Sequence, residues 1–298
     1  MLLSTDVGAL DRVSALISGL GLSRDKYEDP LFFPPKDDSV ERQLGFFLSM
    51  VAIDHRTRTE LTDFSAEIEG RELVGADLLY YLGMGVYEDR RSFTPEWLAH
   101  LTPEEAKRLL CFEENCVWDF YTRIFLLRDL GRKVRESFAD LLLVDGLEEL
   151  ISNLSSFRAF EDPVRKKAFL LAKFLDGRDL VRLEGERQVP VDNHLIRIAM
   201  RLGMADPSED LLERMRRDIE LTREEDVEVR MTVREIWKEV SNRSGVEPFT
   251  LDDFLWPFGR STCKEKPNCR KCPLSEVCRA NSTGRYWKEP KHTLTWYY

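Results

Sequence analysis

A chain of 298 residues, 43% of them hydrophobic, buries a sizeable core as one large or two ordinary domains, which excludes a small scaffold that needs a metal merely to fold. The longest apolar stretches, such as 141–144 and 168–172, are too short to cross a bilayer, so a soluble protein with no membrane partner is expected. A net charge of -10 argues against broad, sequence-independent coating of DNA.

In chain order the expected elements are helices. An apolar helical face runs over 40–53, and an aromatic-rich segment follows over 74–82. Thr102 is placed to cap the next helix, with Pro103 first inside it and Glu105 completing a capping box. A longer helix is predicted over 116–138, with Val117, Phe120, Tyr121, Ile124, Phe125, Leu126 and Leu127 as its apolar side. Cys111 and Cys116 read as buried or half-buried thiols. A short helix over 147–154 precedes one over 162–175, capped by Asp162 with Pro163 in its first position. After a polar connection over 178–190, Asp192 opens an apolar-periodic helix that Gly203 ends in a left-handed turn. Further helices are predicted over 225–240 and 251–256, and a turn over 256–259. The fold class is all-α, divided into an N-terminal helical region (1–146), a second helical region (147–259) and a basic cysteine-rich module with its tail (260–298).

That last module carries the most definite chemistry. Cys263, Cys269, Cys272 and Cys278 are separated by five, two and five residues, a spacing that can enclose one metal centre. Tetrahedral Zn2+ and a cubane 4Fe-4S cluster both fit such a set. Nothing resembling a signal peptide precedes it, so an intracellular, reduced and metal-bound state is expected, cytoplasmic or nucleoid-associated. From residue 260 onward nine Lys and Arg face three Asp and Glu, a basic rim on an acidic body. Such a rim permits a focused phosphate contact and equally offsets the charge of four thiolates. Trp296, Tyr297 and Tyr298 are expected to tuck against the fold, with an exposed stacking patch as the alternative.

Lys166 and Asp192 read as a pair, each near the start of a helix. The first helix is about 16 Å long and the connection after it can return about 50 Å, so the two starts can meet. An amine at a positive helix end is pushed toward the neutral form that attacks an anomeric carbon, and a carboxylate stabilises the oxocarbenium character that develops as a base departs. The same residues also fit plain structural roles, Asp192 as an N-cap and Lys166 as an exposed helix residue. Lys167 leaves the nucleophile open by one position. The segment Glu228–Val229–Arg230 is a candidate polar support for the Asp192 helix, with an exposed ion-paired face as the more conservative reading.

The run Pro190–Val191–Asp192–Asn193–His194, followed by Arg197 and Gly203, together with the terminal cysteines, resembles the helix-hairpin-helix base-excision DNA glycosylase superfamily. Endonuclease III relatives carry a similar aspartate-led helix and a C-terminal iron-sulfur loop, whose first interval is six residues where this chain has five. The stretch from Asp162 to Lys173 is similar to the lysine helix of archaeal 8-oxoguanine DNA glycosylases, although the glycine-rich hairpin expected before the lysine is missing from 155–163. This resemblance implies a DNA-glycosylase-like fold with a four-cysteine metal loop, and a DNA N-glycosylase/AP lyase that excises a damaged base, such as an oxidised purine, through Lys166 and Asp192. It implies damaged DNA as partner, with Lys264, Arg270, Lys271 and Arg279 as phosphate contacts. A weaker likeness joins Ser92–Phe93–Thr94, the 101–105 segment and the aspartate region to queuosine-nucleotide N-glycosylases, which implies a modified nucleotide as the alternative substrate. A noncatalytic nucleic-acid-binding metalloprotein is the third reading.

Overall fold

The computed structural model describes residues 1–59 and 63–298. A short strand β1 (Leu3–Thr5) leads into α1 (Val7–Ser18), capped by Asp6, whose side chain accepts from the Ala9 N–H at 2.8 Å. Ser39 then caps α2 (Val40–Ala52), the apolar-faced helix expected there, and ten of its residues are buried. A hairpin of β2 (Ser65–Ile68) and β3 (Arg71–Val74) precedes α3 (Ala76–Tyr87) and α4 (Pro95–His100). Helix α5 (Pro103–Leu110) starts on the Thr102–Glu105 capping box, with Pro103 in its first turn, as its sequence dictates.

The next segment departs from the expected long helix. Cys111 and Cys116 are joined as a disulfide across a tight hairpin of β4 (Cys111–Phe112) and β5 (Asn115–Cys116), so the half-buried pair is not a pair of thiols. Helix α6 (Phe120–Lys133) begins only after Asp119, and Ser137 caps a separate α7 (Phe138–Leu142). Ile124, Leu126, Leu127 and Leu130 form the buried side of α6, while Tyr121 and Phe125 stand in solvent. Gly131 allows this helix to meet α4 closely, because a Cβ there would lie 2.2 Å from the Ala99 nitrogen.

Helix α8 (Leu147–Leu154) has the predicted bounds, and α9 (Lys166–Gly177) starts later than expected. Pro163 and a left-handed Arg165 (φ 60°) hold the chain in a turn, so Asp162 reaches the helix from four residues upstream. Its carboxylate accepts from the Val164 N–H at 2.6 Å and the Lys166 N–H at 2.7 Å. Helix α10 (Asn193–Leu202) runs from its Asp192 cap to Gly203, whose φ of 85° is the left-handed stop expected for glycine. Strand β6 (Ala205–Pro207) pairs antiparallel with β1, and α11 (Glu209–Arg216) and α12 (Arg223–Ser244) follow. Glu247 and Pro248 start α13 (Pro248–Ser261), which continues through Pro257 where a turn was expected; α14 (Arg279–Thr283) closes the series.

The fold is mostly helical rather than the all-α fold expected, with three two-stranded pairs among the described residues. The chain forms two compact units. One comprises 1–25 and 187–295, the other 26–186 and 296–298. In the first, α1, α10, α12 and α13 enclose a core around Val13, Leu195, Ile198, Val233, Trp237 and Leu251. In the second, Phe46, Phe47, Leu79, Leu127 and Leu171 are fully buried. No helix among the described residues is long and apolar enough to cross a membrane.

Candidate active site

Lys166 lies in the second unit and Asp192 in the first, so each end of the expected pair is built from its own surroundings. At the lysine end, α9 presents Lys166 and Lys167 in its first turn. Both are buried, at 7% and 0% exposure, which separates them: only Lys166 retains access to solvent. The Lys166 amine donates to the Asp54 carbonyl at 2.9 Å and the Lys167 amine to the Ala52 carbonyl at 2.5 Å.

These carbonyls belong to a run at the C-terminal end of α2. Ile53, His55 and Arg56 carbonyls accept from the Arg123 guanidinium, and the Trp118 indole N–H reaches the Arg56 carbonyl at 2.8 Å. Carbonyls 52–56 are therefore each met by a donor from the 118–123 segment or from α9. Of these, the Ala52 carbonyl closes α2, whose last turn carries partial negative charge, and carbonyls 53–56 follow it in the connection beyond the helix.

Behind the lysines sits a buried polar cluster. His55 donates from Nε2 to Asp119 at 2.5 Å, which leaves its Nδ1 lone pair to accept from the Lys167 amine at 3.3 Å. Arg123 donates from Nε to the other Asp119 oxygen at 2.6 Å. Burial pushes the His55 pKa well below its usual range and does the same to the Lys167 amine. Burial also opposes ionisation of Asp119, yet the bond from His55 and the Arg123 charge outweigh it and hold the carboxyl at about 2.

The two acid-range shifts act in the same direction. His55 and Asp119 both have folded pKa values below their unfolded ones, so proton uptake favours unfolding. Stability is expected to fall as pH drops below 6.5 through His55, and again between 3.8 and about 2 through Asp119. The Asp119 part is on the order of 2 kcal/mol. Thermal unfolding followed by circular dichroism across this range checks it: Asp119→Asn is expected to flatten the lower limb, and an unchanged profile refutes the assignment.

At the aspartate end, Asp192 caps α10 by accepting from the Leu195 N–H at 3.0 Å through one carboxylate oxygen. The side chain is half-exposed, and its second oxygen makes no hydrogen bond among the described residues. Capping and availability thus coexist. Arg230, buried and ion-paired with Asp226 at 2.8 Å, donates to the Asn193 side chain at 2.7 Å, which is the support expected from the 228–230 segment. His194 accepts from Arg197 at 2.8 Å, and burial lowers its pKa.

Arg197 and Arg201, one turn apart on α10, organise the cysteine loop. Arg197 reaches the Gly259 and Cys263 carbonyls and pairs with Glu289 at 2.7 Å; Arg201 reaches the carbonyls of Cys263, Lys264, Glu265 and Trp287. Cys263, Cys269, Cys272 and Cys278 line one small cavity with Arg201 and Tyr286. The expectation of a metal here is overturned. Among the described residues no group of three or more His, Cys, Asp or Glu is placed to hold a metal ion, so neither the 4Fe-4S cluster nor Zn2+ fits. The physical reason lies in the sulfurs' own partners. The Cys269 thiol donates to the Tyr286 hydroxyl at 3.5 Å, the Cys278 thiol donates to the Arg201 carbonyl at 3.3 Å, and Cys263 accepts from Arg201 at 3.6 Å. Burial pushes the Cys272 thiol up to about 11 and raises that of Cys278.

Of the basic residues on this loop, Lys264, Arg270 and Lys271 are exposed and make no ion pair among the described residues. Arg279 differs, being paired with Asp206 at 2.6 Å. Phe258 is buried in the core, stacked on Phe254, and Trp256 lies under Arg260, so both serve packing. Sequence reasoning missed His55, Asp119, Arg123 and Arg201. The i, i+4 spacing of Asp119 and Arg123 was a readable signal; His55 had none, because its partner lies 64 residues away.

Residues 173–288 match a family model described as N-glycosylase/DNA lyase, the AGOG family, over less than half of the chain. The fold is similar to that of a solved structure, the 8-oxoguanine DNA glycosylase Pa-AGOG from Pyrobaculum aerophilum complexed with 8-oxoguanosine. The sequences are 15% identical, the TM-score is 0.54, and the match covers 91% of this chain and 96% of that one. None of the curated proteins compared matches this chain. At that identity the likeness establishes the architecture: this chain has a mostly helical, glycosylase-like fold.

Proposed function

We propose that the chain is a DNA N-glycosylase with AP lyase activity that excises a damaged base, an oxidised purine, through Lys166 and Asp192. The observation that carries this reading is the match of residues 173–288 to the N-glycosylase/DNA lyase family, a segment that contains Asp192 and the whole of α10. The fold shared with an 8-oxoguanine glycosylase supports the substrate class.

In this reading the damaged nucleotide leaves the base stack, as chemistry at its sugar requires. The lone pair of the Lys166 amine nitrogen attacks C1′, the C1′–N bond breaks, and the base departs with the bonding pair and takes up a proton. Asp192 supplies negative charge while C1′ carries positive character. Loss of the amine proton and opening of the sugar ring then give an imine between Lys166 and C1′. Abstraction of a C2′ proton expels the 3′ phosphate, and water releases the enzyme. Lys264, Arg270 and Lys271 are suited to hold phosphates because they are exposed and make no ion pair among the described residues.

The test is a panel of duplexes, each with one lesion, read for free base and for strand cleavage. Release of an oxidised purine with concurrent cleavage is expected. Saturable DNA binding without product would leave a binding protein, and base release only from a queuosine nucleotide would leave a nucleotide hydrolase.

A further inference from the structure

Residues 296–298 belong to the same compact unit as Lys166, although the chain immediately before them, 187–295, belongs to the other. Each of the three makes a directed bond there. The Trp296 indole N–H donates to the Arg158 carbonyl at 3.1 Å, the Tyr297 hydroxyl donates to the Glu161 carboxylate at 3.2 Å, and the Tyr298 carbonyl accepts from the Arg56 N–H at 2.7 Å. Successive rings meet edge to face, at 5.7 Å and 5.9 Å between centroids, so the segment docks as one piece. Tyr297 and Tyr298 are 7% and 4% exposed.

The two segments gripped by this tail are the two that hold Lys166. Arg56 lies two residues beyond Asp54, whose carbonyl holds the Lys166 amine at 2.9 Å. Glu161 adjoins Asp162, whose carboxylate holds the Lys166 N–H at 2.7 Å. The backbone end and the amine end of one side chain are thus fixed by separate stretches of chain, and residues 296–298 bridge them.

We infer that the Trp296–Tyr298 segment is a positioning element for the Lys166 amine. This rests on the reading of Lys166 as the nucleophile. A tail that holds both ends of the lysine narrows the arc its amine sweeps, and an attacking group displaced by about 1 Å loses on the order of 100-fold in rate.

The experiment compares the full chain with one ending at Thr295 and with Tyr297→Phe, which keeps the ring and deletes one bond. Amide hydrogen exchange, single-turnover borohydride trapping at saturating lesion DNA, and DNA affinity are measured on each. In the truncated chain, exchange is expected to quicken at 54–56 and 162–166 and to stay unchanged across 187–290. Trapping is expected to slow about 10- to 100-fold while affinity for DNA holds within about twofold. Tyr297→Phe is expected to fall between the two. Unchanged trapping in the truncated chain overturns the inference, as does a loss that merely mirrors the unfolded fraction seen by circular dichroism. If the full chain traps no DNA at all, the nucleophile reading fails, and exchange at 54–56 and 162–166 alone decides whether the tail holds the lysine.

Discussion

Lys166→Gln is expected to abolish covalent trapping of lesion DNA by borohydride, because reduction captures only an imine and an amide nitrogen forms none. The substitution is mild for the fold. A glutamine amide still donates toward the Asp54 carbonyl, the bond now made by the Lys166 amine, and Asp162 still accepts from the backbone N–H. The expected stability change is about 1 kcal/mol, the net worth of one imperfectly replaced hydrogen bond. Lys167→Gln separates the neighbouring positions. Lys167 is fully buried between the Ala52 carbonyl and His55, so its replacement is expected to cost about 1–3 kcal/mol while leaving trapping in the folded fraction intact. Normal trapping by Lys166→Gln, or its loss only in Lys167→Gln, would move the nucleophile by one residue.

Asp192→Asn is expected to slow single-turnover base release about 100- to 1000-fold with little change in DNA affinity. Asparagine caps a helix as well as aspartate does, so the bond from the Leu195 N–H survives and α10 keeps its start. What disappears is the charge, which matters while C1′ carries positive character and hardly at all in the ground-state complex. Asp192→Ala removes the cap as well, and is expected to add about 1 kcal/mol of destabilisation to the same kinetic defect. A release rate equal to the parent's in Asp192→Asn, with Asp192→Ala merely less stable, would reduce this residue to a cap.

The elements read correctly from sequence are those whose cause is local. The capping box of Thr102 and Glu105, the bounds of 147–154, and the stop at Gly203 each depend on residues within one or two turns. Errors arose where a local signal had a distant competitor. The apolar run from Cys116 reads as helix, but closure of the Cys111–Cys116 hairpin occupies its first residues, and Asp162 caps α9 from farther back because Arg165 turns left-handed. Cysteine spacing announced a cluster of sulfurs and brought them to one cavity, yet spacing carries no information on what else reaches them. Arg201 and Tyr286, the partners that engage three of those sulfurs, come from α10 and from beyond α14.

By itself, then, the chain's order of residues determined the mostly helical fold and the start of the Asp192 helix with its stop at Gly203, since capping and periodicity act over a few residues. Tertiary structure alone decided which lysine keeps access to solvent, that His55, Asp119 and Arg123 stand behind it, and that residues 296–298 reach the segments holding it. Burial and the pairing of groups more than a hundred residues apart are properties of the packed chain, and no spacing rule encodes them.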